Sequence, residues 1–157
     1  MGLIGNGIFQ ARRDGRWVDV VSETDPGDVS VISWLDVFRP ARGLPADFEF
    51  VDGEWHPIDR VELRPPRDRQ RPYVQGHPRL GHICLGDTMN SWLHGDELLA
   101  GRRHAMAWML DLDEAALPHD LAADDVPHWH DLGQFFDEVA RLKALHGEIR
   151  LVFGLTY

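Results

Sequence analysis

Short runs in which apolar and polar residues alternate dominate the first part of the chain, a pattern typical of strands joined by tight turns. Residues 8–12 and 16–22 flank Asp14-Gly15, a dipeptide that favours the two-residue turn of a β-hairpin. Residues 48–55 repeat this pattern, and residues 82–85 and 149–155 form apolar runs of strand length. We therefore expect an antiparallel sheet built from hairpins.

Other segments place apolar residues three or four positions apart, which indicates helices with one buried face. Ser30 is the predicted N-cap of a helix over residues 31–38, and Pro40 ends that run. Residues 87–93 are predicted to lead into a helix near residues 96–103. The last helix is predicted to have Asp131 as N-cap and to stop at Gly147. Its apolar face consists of Phe135, Phe136, Val139, Leu142 and Leu145.

Together these elements predict an α+β fold, in which two or three helices pack on the antiparallel sheet. The chain has 157 residues, of which 43% are hydrophobic and 27% are charged, so we expect a single domain over residues 1–157. Prolines and arginines alternate at about residues 63–79. Because proline interrupts both helices and sheets, this stretch is predicted to form a long loop.

Features that are absent from the sequence suggest the cellular compartment of the protein. No apolar run is long enough to span a bilayer, and the first residues lack the charged and apolar regions of a secretion signal. Cys84 is the only cysteine, so no internal disulfide can form and a reducing compartment is expected. We predict a cytoplasmic protein without membrane contact.

Charge is distributed unevenly along the chain. Residues 60–79 contain six arginines and two acidic residues, whereas residues 104–140 contain nine acidic residues and neither lysine nor arginine. The net charge of −10 argues against general nucleic-acid binding, which depends on neutralising the phosphate backbone with cations. We expect a strongly polarised molecule.

The basic stretch indicates an anion site, because guanidinium groups bind phosphate through two hydrogen bonds and stack on aromatic rings. Of the six tryptophans, most are expected in the core, and Trp92 is expected at a pocket rim beside a helix N-terminus. The predicted ligand-binding residues are Arg42, Arg67, Arg69, Arg71, Tyr73, Asp87, Ser91 and Trp92. The competing interpretation is that these arginines are solvated on an exposed loop or pair with the acidic half of the molecule.

Nine histidines raise the question of a metal site. The best candidates are His128 and His130, which would lie on one face of a strand, but the sequence indicates no third ligand for them. The chain contains no nucleophile elbow, phosphate-binding loop or Cys-x-x-Cys pair. We therefore predict no metal, no cofactor and no catalytic residue.

Several segments together resemble a group of small, uncharacterised bacteriophage and prophage accessory proteins. The segments are residues 10–17, residues 42–47, Asp87 with Ser91-Trp92-Leu93 and Glu97-Leu98, and residues 149–153. The resemblance implies a phage gene product that acts in the host cytoplasm and blunts host immunity. It implies no catalytic residues.

The leading hypothesis from the sequence is a phage-encoded module that binds and sequesters a small anionic, nucleotide-like ligand. One alternative is a hydrolase or transferase acting on such a nucleotide, with His77, His82 or the pair His128 and His130 as base or metal ligands. A second alternative is an inhibitor that docks its acidic surface on a host defence protein or a nucleic-acid-binding protein. A homo-oligomer is compatible with each hypothesis.

Overall fold

The structure of the chain is a computed structural model. The structure describes residues 4–39, 42–45, 47–51, 54–57, 88–119 and 131–156. The predicted strand at residues 82–85 and the predicted loop at residues 63–79 lie outside the described residues, as does Cys84.

A four-stranded antiparallel sheet forms the centre of the fold. Strands β1 (Ile4–Arg13) and β2 (Arg16–Asp19) form the predicted hairpin. Asp14 and Gly15 have φ angles of 51° and 75°, as the predicted turn requires. The sheet is completed by β5 (Thr88–His94) and β6 (Ile149–Thr156), in the order β2-β1-β6-β5. The terminal strand β6 thus pairs with β1 on one side and with β5 on the other.

A second, two-stranded sheet is the predicted hairpin of β3 (Phe48–Val51) and β4 (Glu54–Pro57). Phe48 packs against Ile8 and Val152, which belong to β1 and β6. The start of this hairpin therefore covers part of the larger sheet.

Helix α1 (Val29–Phe38) begins two residues earlier than predicted. Its N-cap is Asp28, whose side chain accepts a hydrogen bond from the backbone N–H of Ser30 at 2.9 Å, so the prediction of Ser30 as the cap was wrong. Both residue types satisfy free amides at a helix start, and their spacing in the sequence does not decide between them. The helix ends at Arg39, whose ψ of 140° is the extended conformation that a following proline favours.

Residues 88–94 form strand β5, whereas the sequence suggested that this stretch leads into a helix. The helical segments that follow are α2 (Gly95–Ala100) and α3 (Arg102–Leu110), joined at Gly101. A Cβ atom at position 101 would lie 2.4 Å from the ring of Phe38, so only glycine allows α1 to approach this closely. A 3₁₀ turn (Glu114–Ala116) follows.

Helix α4 (Asp131–His146) is the longest helix, and Gly147 follows it with a φ of 80°, as predicted. Four of the five predicted apolar positions are buried, but Leu145 is 62% exposed, so its assignment to the core was wrong. It lies one turn beyond Leu142, where the helix has passed the edge of the core. The helices and the sheet enclose a core that includes Phe9, Trp34, Phe135 and Leu151.

The architecture is α+β, with an antiparallel sheet and helices packed on one of its faces, as predicted. The expectation that most tryptophans are buried was wrong for those whose side chains the structure describes. Trp34 is fully buried, while Trp17 and Trp92 are partly buried and Trp108 is 38% exposed. Within the described ranges, no helix combines the length and the apolar character that crossing a bilayer would require.

Candidate functional site

A row of polar side chains crosses the sheet on the face opposite the helices. Asp19, Gln10, Arg150 and His94 are successive partners in the register of β2, β1, β6 and β5. Residues paired across antiparallel strands point to the same side of the sheet. Their neighbours in sequence belong to the core beneath the helices, so these four side chains share the opposite face.

Arg150 is the centre of this row and is only 4% exposed. Its Nε donates a hydrogen bond to Gln10 Oε1 at 2.9 Å, and its Nη2 donates to Asp47 Oδ2. Gln10 in turn donates from Nε2 to Asp19 Oδ1 at 3.2 Å. A buried guanidinium thus has one carboxylate partner and one amide that is itself fixed by a second carboxylate.

Aromatic rings complete the environment of Arg150. Its guanidinium carbon lies 4.3 Å from the ring centroid of Trp17 and 5.9 Å from that of Phe48. Arg12, the cross-strand partner of Trp17, lies 5.7 Å from the same indole. Trp17 is therefore in contact with two guanidinium groups, an arrangement that fixes the indole and concentrates positive charge around it.

The electrostatics of the ion pair between Arg150 and Asp47 follow from burial. Burial lowers the pKa of Arg150, and the charge of Arg12 lowers it further, whereas the hydrogen bond and the charge of Asp47 oppose this shift. Arginine nevertheless stays protonated in proteins, so the charge must be balanced. Arg12 is exposed, and the part of the chain that the structure describes offers its guanidinium no carboxylate.

A second group of contacts lies beside the first. Arg42 donates from Nη2 to Glu97 Oε2 at 2.5 Å and from Nη1 to Glu97 Oε1 at 3.3 Å, and its guanidinium carbon lies 4.3 Å from the ring centroid of Trp92. Trp92 meets the ring of His94 edge-on at 4.8 Å, and Trp17 lies 6.0 Å from the same imidazole. His94 thus joins the two arginine and tryptophan pairs.

Glu97 also anchors the start of α2. Its Oε1 accepts a hydrogen bond from the backbone N–H of His94 at 3.1 Å. Burial raises the pKa of Glu97, but the hydrogen bonds from Arg42 and from the His94 backbone, with the nearby positive charge, lower it more. The net pKa lies below its ordinary value, so Glu97 is a carboxylate at neutral pH.

We call this surface the arginine–tryptophan face; its members are Arg12, Trp17, Arg42, Trp92, His94 and Arg150. Of the residues predicted from the sequence, the structure brings Arg42 and Trp92 together on this face. Ser91 is 1% exposed and pairs with Phe153, whose side chain lies in the core beneath the helices, so Ser91 faces the helix side of the sheet, away from Arg42 and Trp92. The remaining predicted ligand and metal residues lie outside the described residues: Arg67, Arg69, Arg71, Tyr73, Asp87, His128 and His130.

Four members of the face were missed by sequence reasoning: Arg12, Trp17, His94 and Arg150. One signal was present, because Arg150 is the single charged residue in the apolar run of residues 149–155. A lone arginine inside a strand that is buried on both sides has to be paired. Its position in the sequence does not indicate which residues pair with it.

The chemistry available on this face is ionic, stacking and hydrogen bonding. No group of three or more His, Cys, Asp or Glu side chains is arranged to hold a metal ion within the ranges that the structure describes. The exposed guanidinium of Arg12 and the partly exposed indoles suit a planar, negatively charged guest. In comparisons with known proteins, no family model, no curated protein and no solved structure matches the chain.

Proposed function

We propose that the protein is a binding module that captures a small anionic, nucleotide-like ligand on the arginine–tryptophan face. The observation that carries this proposal is the arrangement at Trp17, where the indole contacts buried Arg150 at 4.3 Å and exposed Arg12 at 5.7 Å. In this proposal, Arg150 holds the indole in place and Arg12 receives the anion.

The different burial of the two arginines supports this division of roles. Arg150 already has the carboxylate of Asp47 and the amide of Gln10, so its charge is balanced inside the fold and two of its five N–H groups donate there. Arg12 has no carboxylate partner among the described residues and is hydrated. An incoming phosphate therefore displaces water from Arg12 without breaking an ion pair, while a base stacks beside Trp17 or Trp92.

The local charge favours a small anion despite the net charge of −10. Arg12, Arg13 and Arg16 are all exposed around the β1–β2 turn. The acidic residues beside them are Asp14 in the turn and exposed Glu148, whose backbone carbonyl accepts a hydrogen bond from the Arg12 N–H. At physiological ionic strength, charges farther away than about 8 Å are largely screened. A small ligand at the turn therefore experiences mainly these arginines, whereas a long polyanion also meets the acidic surface.

The sequence contributes further parts of this proposal. Arg67, Arg69, Arg71 and Tyr73 are proposed to add guanidinium groups and a ring to the same ligand site. The resemblance to bacteriophage accessory proteins suggests that the ligand is a nucleotide-derived immune signal in the host cytoplasm, so that sequestering it would be a counter-defence activity.

Isothermal titration calorimetry tests the proposal directly. Cyclic dinucleotides and ADP-ribose-containing nucleotides are titrated into the protein, with adenosine and inorganic phosphate as controls. At least one nucleotide should bind more tightly than both controls. Arg12→Gln should weaken that binding by at least about tenfold, because a hydrogen bond to a charged group is worth about 1.5–3 kcal/mol.

The matched control is Arg39→Gln, which removes the same charge at the end of α1, on the other side of the sheet. It should leave the affinity unchanged. Failure of every nucleotide to bind, or equal loss of affinity in the two variants, would contradict the proposed site.

The fate of the bound nucleotide distinguishes ligand capture from catalysis. After incubation and denaturation of the complex, chromatography should recover the nucleotide intact and in a fixed ratio to the protein. Progressive conversion would instead support the hydrolase or transferase alternative, and its loss on adding a chelator would indicate a metal-dependent reaction.

A further inference from the structure

A groove on the helix layer, away from the arginine–tryptophan face, exposes apolar side chains. It has a volume of about 460 Å³ and lies between the end of α1, helix α3 and the chain that follows α3. The side chains that define it are Val37, His104, Trp108, Asp111, Leu112 and Glu114. Val37 is 57% exposed, Trp108 38% and Leu112 51%, so this surface presents three large apolar side chains to solvent.

The local backbone explains why these side chains meet. Asp111 has a φ of 52°, a left-handed conformation that ends α3 and turns the chain back. The backbone N–H of Leu112 then donates to the carbonyl of Ala107 at 2.9 Å. Leu112 is thereby returned to the side of the helix that carries Trp108.

The groove is negatively charged. Asp111 and Glu114 are exposed, and their carboxylates form no ion pair with any described residue. The nearby Arg103 donates instead to the backbone carbonyls of Glu114, Leu117 and Pro118. Helix α3 also ends here, and the C-terminal end of a helix dipole attracts cations.

His104 adds a hydrogen-bond donor to the wall of the groove. The indole Nε1 of buried Trp34 donates to His104 Nδ1 at 3.1 Å. Because an indole nitrogen can only donate, the neutral imidazole must carry its proton on Nε2. The groove therefore combines an apolar floor with a ring donor and two carboxylates.

We propose that this groove docks a short basic segment of a partner protein, which places an apolar side chain against Trp108 and Leu112 and a cation beside Asp111 and Glu114. Charge complementarity selects this class of partner, since the residues that line the groove include two carboxylates and neither lysine nor arginine. The apolar anchor follows from the exposed indole, a side chain that often dominates the energy of a protein interface. The proposal is independent of ligand capture on the arginine–tryptophan face.

Three labelled peptides test it by fluorescence anisotropy. The first repeats Arg-Pro-Leu-Pro, which stays extended and soluble; the second replaces arginine with glutamate, and the third replaces leucine with serine. The first peptide should bind with an affinity that falls as salt is added, and the other two should bind at least about tenfold more weakly. Absence of binding by the first peptide, or equal binding by all three, would overturn the proposal.

Matched variants locate the site. Trp108→Ser should weaken binding of the first peptide by about tenfold, and Asp111→Asn with Glu114→Gln should weaken it and reduce its salt dependence. Leu145→Ser and Glu148→Gln are the controls, because these residues are exposed outside the groove, and they should change nothing. Should Trp108→Ser fail to fold, Leu112→Ser provides the same test.

Sedimentation measurements test whether a second copy of the chain covers the groove instead of a basic partner. If the protein is a dimer that the Trp108→Ser variant converts to a monomer, a second copy of the chain covers the groove and the proposal is wrong. A monomer in both cases, together with the peptide results above, supports docking of a basic partner.

Discussion

The two faces of the four-stranded sheet are built from alternate residues of the same strands, yet they are stabilised in different ways. On the helix side, Phe9 and Leu151 are buried among Trp34 and Phe135, and their contacts are apolar. On the other side, Gln10 and Arg150 are also buried, but both are held by directed hydrogen bonds, and Arg150 also lies against aromatic rings.

The difference separates stability from recognition. Apolar burial is non-directional and tolerates many side chains of similar volume, so the helix side can supply most of the folding free energy without specifying a ligand. A buried guanidinium contributes little net stability, because desolvation offsets much of its attraction to a carboxylate. Its effect is to fix the position of Trp17 beside Arg12, where the proposed ligand would contact both.

The largest expected effect comes from the helix side. Phe135→Ala removes a fully buried ring that contacts Phe9 and Trp34, and should lower the free energy of unfolding by about 3–5 kcal/mol. Urea denaturation followed by circular dichroism measures this loss. A loss below about 1 kcal/mol would mean that the helices are not packed on the sheet as described.

A smaller loss is expected on the opposite face. Asp47→Asn leaves the Arg150 guanidinium without its carboxylate and should cost about 1.5–3 kcal/mol, since a buried charge loses its partner. In an Arg150→Met background the same change should cost much less. A double-mutant cycle in urea measures this coupling, and additive losses would refute the ion pair.

A still smaller, pH-dependent effect is expected at Glu97. Its side chain is 35% exposed, and its pKa is lowered in the folded protein. The ion pair with Arg42 therefore stabilises the fold at pH values above the ordinary glutamate pKa of about 4.5. This contribution is lost as the pH falls through the lowered pKa. Glu97→Gln should therefore cost about 0.5 kcal/mol at pH 7 and nothing in acid, where wild type is also uncharged. If Glu97→Gln and wild type still differed in the free energy of unfolding at low pH, the effect would come from packing and not from charge.

The smallest effect on stability is expected at Arg12. Its side chain is exposed, so Arg12→Gln should change the free energy of unfolding by less than about 0.5 kcal/mol while weakening nucleotide binding. Urea denaturation alongside calorimetry distinguishes these effects. A large loss of stability would place Arg12 in the structural network of Arg150 and remove it from the proposed ligand site.

The sequence predicted the elements in which local chemistry and pattern agree. The Asp14-Gly15 hairpin, helix α4 with its stop at Gly147, and strand β6 all combine a regular apolar period with turn or cap residues. Strand β5 was not recognised, because its seven residues become a strand only by pairing with β6. An edge strand of that length has little signal of its own.

The sequence alone therefore determined an α+β chain with two hairpins, a long amphipathic C-terminal helix and an uneven charge distribution. Only the tertiary structure decided that Arg150, Gln10 and Asp19 form one row, that Asp47 pairs with Arg150, and that Trp17 meets two guanidinium groups. These contacts join residues up to 140 positions apart. Turns and helices are stabilised by neighbours in sequence, whereas a buried charge is balanced by polar groups that folding brings close to it from distant positions in the sequence.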